Sequence, residues 1–164
     1  MLSRRTLLKT GALGALLLAG GGLAAMLLGR DVRADRASVL RAVAPVLLDG
    51  ALPARGPARD AALARCIDAV GAAIEGMPPA VQDELAQLFA LLAIAPARLL
   101  TTGIAGSLED AEPARIAAFL SAWRTHRVAL LQSAYQALHD LTAAAWYADG
   151  STWASTGYGG PPRL

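Results

Sequence analysis

Apolar residues recur along most of this chain at offsets of three and four, the spacing that lines one face of an α-helix. No segment alternates apolar and polar residues long enough to make a half-buried strand. The expected fold is therefore all-α: a small bundle of about five helices, with an amino-terminal signal or anchor helix and an irregular aromatic carboxy-terminal tail.

In the first body segment, Arg36 to about Leu48, Val39, Leu40, Val43 and Leu47 share one side, and Pro45 is expected to kink or end it. Gly50 to Pro57 holds two prolines and two glycines and predicts a loop. Pro57 then suits the first turn of a second helix with Leu63, Ile67, Val70 and Ile74 as its stripe and Gly76 at its end. Pro78-Pro79 opens a third, with Val81, Leu85, Leu88, Phe89 and Leu92 facing inward, and Pro96 ends it. A short turn over Ala97 to Thr102 precedes a loop, Gly103 to Glu112, expected to face solvent. Beyond Pro113, Ile116, Phe119, Leu120 and Trp123 form one stripe, and Leu131, Ala134, Tyr135, Leu138, Leu141 and Ala145 another. Two consecutive helices or one bent helix would satisfy both, with Thr125 capping a new start. Ala148 to Leu164, rich in Gly, Ser, Thr and Pro, is expected to be irregular.

The amino end is of another kind. Thr10 to Gly29 is a charge-free run of twenty residues, six of them glycine, which makes it less apolar than a leucine-rich span of the same length. It divides the chain into a leader, residues 1–34, and a helical body, residues 35–164. Val32-Arg33-Ala34 ahead of Asp35 is a candidate cleavage site; uncut, the apolar run could just span a bilayer.

Charge follows the same division. The leader carries five basic side chains against one acid, whereas from Asp35 onward ten arginines face twelve carboxylates, a net of −2. The body has no cationic surplus with which to neutralise a phosphate backbone, so nucleic acid is not an expected partner.

The search for reactive chemistry returns little. His126 and His139 are the only histidines, too far apart in sequence for a helical zinc pair and with no cysteine nearby. His139 and Asp140 are neighbours, which on a helix point in different directions and do not by themselves make a dyad. Gly20-Gly21-Gly22 lies inside the leader, without the strand-to-helix setting of a phosphate loop. A single cysteine, Cys66, excludes a haem-attachment pair or a four-cysteine cluster within the chain. No catalytic residue, metal site or cofactor site is assigned. Cys66 fits a buried free thiol, a disulfide to a partner or a reactive thiol. All eight aromatics lie at or after Phe89, so the tail either folds over its own core or offers anchors to another protein.

Two motifs carry a resemblance. Ser3-Arg4-Arg5-Thr6-Leu7-Leu8-Lys9 resembles the twin-arginine export motif, with Leu7 where Phe is common. In the body, Ala118-Phe119-Leu120, Trp123-Arg124, Ala134 to Asp140, Ala145-Trp146-Tyr147, Trp153 and Gly157-Tyr158-Gly159-Gly160-Pro161-Pro162 resemble the small subunits of bacterial membrane-bound, FAD-dependent glucose, sorbitol, fructose and gluconate dehydrogenases. Gly159 stands where that family usually has proline, and Gly150 where Asn-Pro or Asp-Pro is frequent.

The resemblance implies a non-catalytic subunit that binds a leaderless flavoprotein of the glucose-methanol-choline type, assists its maturation and carries it through the twin-arginine translocase to the periplasm. It implies FAD in that large subunit, none in this chain, and a multihaem cytochrome c as a further partner. Ser3, Arg4, Arg5, Leu7, Leu8 and Lys9 would be the export signal, Ala34 and Asp35 would flank the cleavage point, and Cys66, Trp146, Tyr147, Trp153, Tyr158, Gly160, Pro161 and Pro162 would meet the partner. The alternative is a standalone exported or membrane-anchored helical binding protein.

Overall fold

Proline fixes φ near the helical value and lacks a donor that a first turn leaves unused, so it marks helix starts. The computed structural model describes residues 30–153, which form six α-helices: α1 (Val32–Leu47), α2 (Pro57–Glu75), α3 (Pro79–Ala93), α4 (Ala95–Thr102), α5 (Pro113–Arg124) and α6 (Ala129–Ala148), followed by a 3₁₀ turn, Gly150–Thr152. Pro57, Pro79, Pro96 and Pro113 stand in the first turns of α2, α3, α4 and α5. No strand occurs among the described residues. The expected signal or anchor helix and the end of the aromatic tail fall outside them.

α1 is the central element, packed against α2, α3, α5 and α6. Its Val39, Leu40, Val43 and Ala44 are buried on several sides at once. Burying an aliphatic side chain of this size contributes about 1.5–3 kcal/mol. The helix begins at Val32, ahead of the expected start, and runs two residues past Pro45 to Leu47. A proline in the last turn removes one donor, and the Leu48 N–H still bonds the Ala44 carbonyl at 2.9 Å.

α2 buries Ala62, Cys66, Val70, Gly71 and Ile74, while the expected Leu63 and Ile67 flank that face half-buried. Arg36 of α1 crosses Gly71: a Cβ at this position would lie 2.7 Å from the Arg36 Nη2, so the guanidinium would have to move aside. The same guanidinium is 3.8 Å from Glu75 at the end of α2, and Arg33 is 3.2 Å from that carboxylate.

Between α3 and α4 the chain turns by 88° at an extended Ile94. Pro96 cannot donate to Leu92, which in a continuous helix would be its acceptor. Arg98 supplies the missing donors: its Nη1 reaches the Leu92 carbonyl at 3.3 Å and that of Ala93 at 2.8 Å, and its Nη2 that of Ala105 at 3.5 Å. Gly103 then closes α4 in the left-handed conformation, φ 74°, its N–H bonding Leu99 at 2.9 Å.

The segment after Gly103 corrects the expectation of a solvent-facing loop. Ile104 and Leu108 are buried in the core, the irregular backbone turning these two apolar side chains inward while most of its other residues stay exposed. In α5 the expected Ile116, Phe119, Leu120 and Trp123 are all buried, with the Phe119 and Trp123 rings edge to face at 5.4 Å. The Trp123 indole N–H donates to Thr101 at 2.9 Å, tying the end of α4 to the end of α5. α5 and α6 are separate helices. Thr125 ends the first rather than capping the second, and the His126 Nδ1 instead accepts the Val128 N–H at 3.1 Å where α6 begins.

Candidate functional site

The aromatic end of α6 was the expected partner-binding region, and it is built against α2. Ala134, Leu138, Thr142, Ala145 and Trp146 form the buried face of α6. Opposite them, the Cys66 Sγ donates to the Thr142 carbonyl at 3.7 Å. Burial, with a smaller contribution from the Asp149 carboxylate, pushes the Cys66 thiol up to about 11. A thiol that remains protonated at neutral pH is a poor nucleophile.

Past Ala148 the chain is clamped. Asp149 accepts the Ser151 N–H at 2.9 Å and pairs with the Arg65 Nε at 3.2 Å, while the Arg65 Nη2 reaches the Ser151 hydroxyl at 3.3 Å. The hydrogen bonds from Ser151, then that from Arg65, hold the Asp149 carboxyl below its usual range. Thr152 is buried and donates to the Trp146 carbonyl at 2.8 Å, and the Trp153 indole donates to that of Tyr147 at 2.8 Å. The tail as far as Trp153 is thus ordered by its own hydrogen bonds.

The sequence candidates divide accordingly. Cys66 and Trp146 lie inside the chain's own core, 4% and 2% exposed, so in this conformation neither is offered to a partner and Cys66 is a free buried thiol. Tyr147 is exposed and Trp153 half-buried. Tyr158, Gly160, Pro161 and Pro162, like Ser3, Arg4, Arg5, Leu7, Leu8 and Lys9, lie outside the described residues. Ala34 and Asp35 occupy the first turn of α1, with Asp35 buried, so a peptidase reaches the bond between them only where that turn has not formed.

His139 and Asp140 depart from expectation. Their Nδ1 and Oδ1 are 2.8 Å apart, because a 100° step between neighbours is bridged when both side chains lean across the helix surface. The Tyr135 ring stacks on the imidazole at 5.8 Å. Both members of the pair are exposed. Among the described residues no cluster of three or more His, Cys, Asp or Glu is arranged to hold a metal ion. An open recess of about 370 Å³ beside the α4–α5 connection is lined by Ile104, Ser107, Asp110, Glu112 and Arg115, with Arg115 engaged by the Gly103 carbonyl at 3.0 Å.

Leu99, Leu100, Val128 and Leu130 are exposed large apolar residues that no expected stripe included. Leu99-Leu100 falls off any single helical stripe, and that was the available signal. No helix among the described residues is by itself long and apolar enough to cross a membrane. The chain matches no protein-family model, no curated protein and no solved structure.

Proposed function

We propose that this chain is the non-catalytic small subunit of a bacterial FAD-dependent sugar or polyol dehydrogenase: it binds the leaderless flavoprotein, helps it mature and carries it folded through the twin-arginine translocase to the periplasm. The observation that carries this reading is the Ser3-Arg4-Arg5-Thr6-Leu7-Leu8-Lys9 motif directly ahead of a weakly hydrophobic, charge-free run. Flavin and redox chemistry then belong to the large subunit, with a multihaem cytochrome c as a third component.

The test is co-expression of the flavoprotein with the full-length chain or with its Arg4→Lys/Arg5→Lys variant. Periplasmic, flavin-loaded dehydrogenase should require the chain and fall steeply with the variant. Equal flavin loading and export with and without the chain would overturn the proposal.

One observation favours the alternative of a standalone exported or membrane-anchored binding protein: Trp146, an expected partner anchor, is spent on the chain's own core. Purification from the periplasm as a monomer free of any oxidoreductase would support that reading instead.

A further inference from the structure

A peptidase cuts chain that can lie extended in its cleft, so loops and loose ends are cleaved where formed, packed helices are not. Beyond the apolar run, Val32 and Ala34 are the first pair to set a small aliphatic residue three places ahead of a bond and a small residue directly ahead of it, the bond to Asp35. α1 begins at Val32, so Val32, Ala34 and Asp35 are all helical already.

That first turn is tied to the bundle on the far side of the bond. Asp35 is only 8% exposed, and Val39 and Leu40 behind it are 1% exposed. Arg36 lies across Gly71 of α2, and its Nη2 is 3.8 Å from the Glu75 carboxylate. Arg33, between the two recognition residues, is 3.2 Å from the same carboxylate; being exposed, that pair contributes little alone, and burial from Asp35 onward holds the turn. Extending the chain for cleavage would require Asp35 to leave its buried position and Arg36 to give up Gly71 and Glu75. Charge opposes the cut as well. A helix amino terminus carries partial positive charge, which the Asp35 carboxylate complements and a newly formed ammonium group on Asp35 would offset.

We infer that the leader is not removed after export: α1 shields the Ala34–Asp35 bond, and the chain serves as a membrane tether as well as a carrier. The inference rests on the export route proposed above, since a chain threaded unfolded would offer this bond extended, whereas one moved after folding presents the turn already made. Thr10 to Gly29 is a charge-free run of twenty residues, the length that a helix needs to cross a bilayer. Kept in the mature chain, it holds the carried flavoprotein at the outer face of the inner membrane.

The experiment expresses the full-length chain, and a variant with Gly-Ser-Gly-Ser-Gly-Ser inserted between Ala34 and Asp35, in a bacterium with a twin-arginine translocase. The insertion keeps Val32, Arg33 and Ala34 but moves the bond after Ala34 away from the packed helix. Thermal melts establish that both bodies fold, intact mass gives each amino terminus, and protease added to spheroplasts shows whether the body has crossed. The wild type should cross, stay in carbonate-washed membranes and keep the mass of residues 1–34, while the variant should be cut after Ala34 and appear in the soluble periplasm. A wild-type chain that crosses but begins at Asp35, or at any other internal residue, would overturn the inference and leave the carrier role standing. Two uncut chains would overturn it too, because α1 would then not be what spares the bond. A wild-type body that stays inaccessible, as in Arg4→Lys/Arg5→Lys, would instead remove the export route together with this inference.

Discussion

The Cys66 sulfhydryl points at the Thr142 carbonyl, 3.7 Å away, across the seam where α2 meets α6. That carbonyl belongs to a residue whose own hydroxyl donates back to Leu138 at 2.7 Å, so the seam holds a short chain of buried hydrogen bonds. A small, weakly polar group suits the place better than either a charge or a bulkier side chain.

Cys66 should accordingly be slow to react. At pH 8, a disulfide reagent should modify it at least about 100-fold more slowly in the native protein than in denaturant, since attack requires both opening and ionisation. A native rate close to the unfolded one would contradict the packing.

Stability should also respond to alkali. The thiol's folded value, about 11, lies above its ordinary 9.0, so between these the unfolded state loses its proton first and folding weakens as pH rises. The contribution is complete below pH 9 and fades towards 11. Comparison of urea midpoints for wild type and Cys66→Ala across this window should show a steeper decline in wild type.

Arg98 should be needed for the elbow between α3 and α4. Arg98→Met leaves the Leu92 and Ala93 carbonyls without these donors and should cost about 2–3 kcal/mol in chemical denaturation. A change below about 0.5 kcal/mol would mean that water replaces the guanidinium.

Trp123 should separate a hydrogen bond from its packing. Trp123→Phe removes the indole donor to Thr101 and is expected to cost about 1 kcal/mol, whereas Trp123→Ala should cost about 3–5 kcal/mol. Equal losses for both would show the hydrogen bond to dominate.

Gly71 offers a cycle with Arg36. Alanine is favoured over glycine in a helix by about 1 kcal/mol, but here its methyl meets the Arg36 guanidinium, so Gly71→Ala should realise the full gain only in an Arg36→Ala background. Identical effects in both backgrounds would place the guanidinium elsewhere.

Helix positions were largely legible because proline is an unambiguous local signal: Pro57, Pro79 and Pro113 each start a helix as expected. The stripe of α5 was read correctly since four large apolar residues leave one inward face. What escaped depended on distant neighbours. The inward side of α2 also takes in Ala62 and Gly71, small residues that periodicity alone underweights, and leaves the expected Leu63 and Ile67 at its flanks. Ile104 and Leu108 were hidden in a glycine-containing loop, and Arg98 resembles any surface cation until Pro96 removes the donor it replaces. Of the expected partner contacts, the sequence could identify aromatic character but not which rings turn inward, and Trp146 turns inward.

The elbow at Pro96 has a consequence for how this chain is treated at a bilayer. Laid out straight, Pro79 to Thr102 would have the length and apolarity of a rod able to cross one. Folded back at 88°, the same residues instead give Leu85, Phe89 and Leu92 to the bundle. A translocating machine that handles the chain after folding never meets that rod, whereas one that threads it unfolded would meet a second stretch at which to stall.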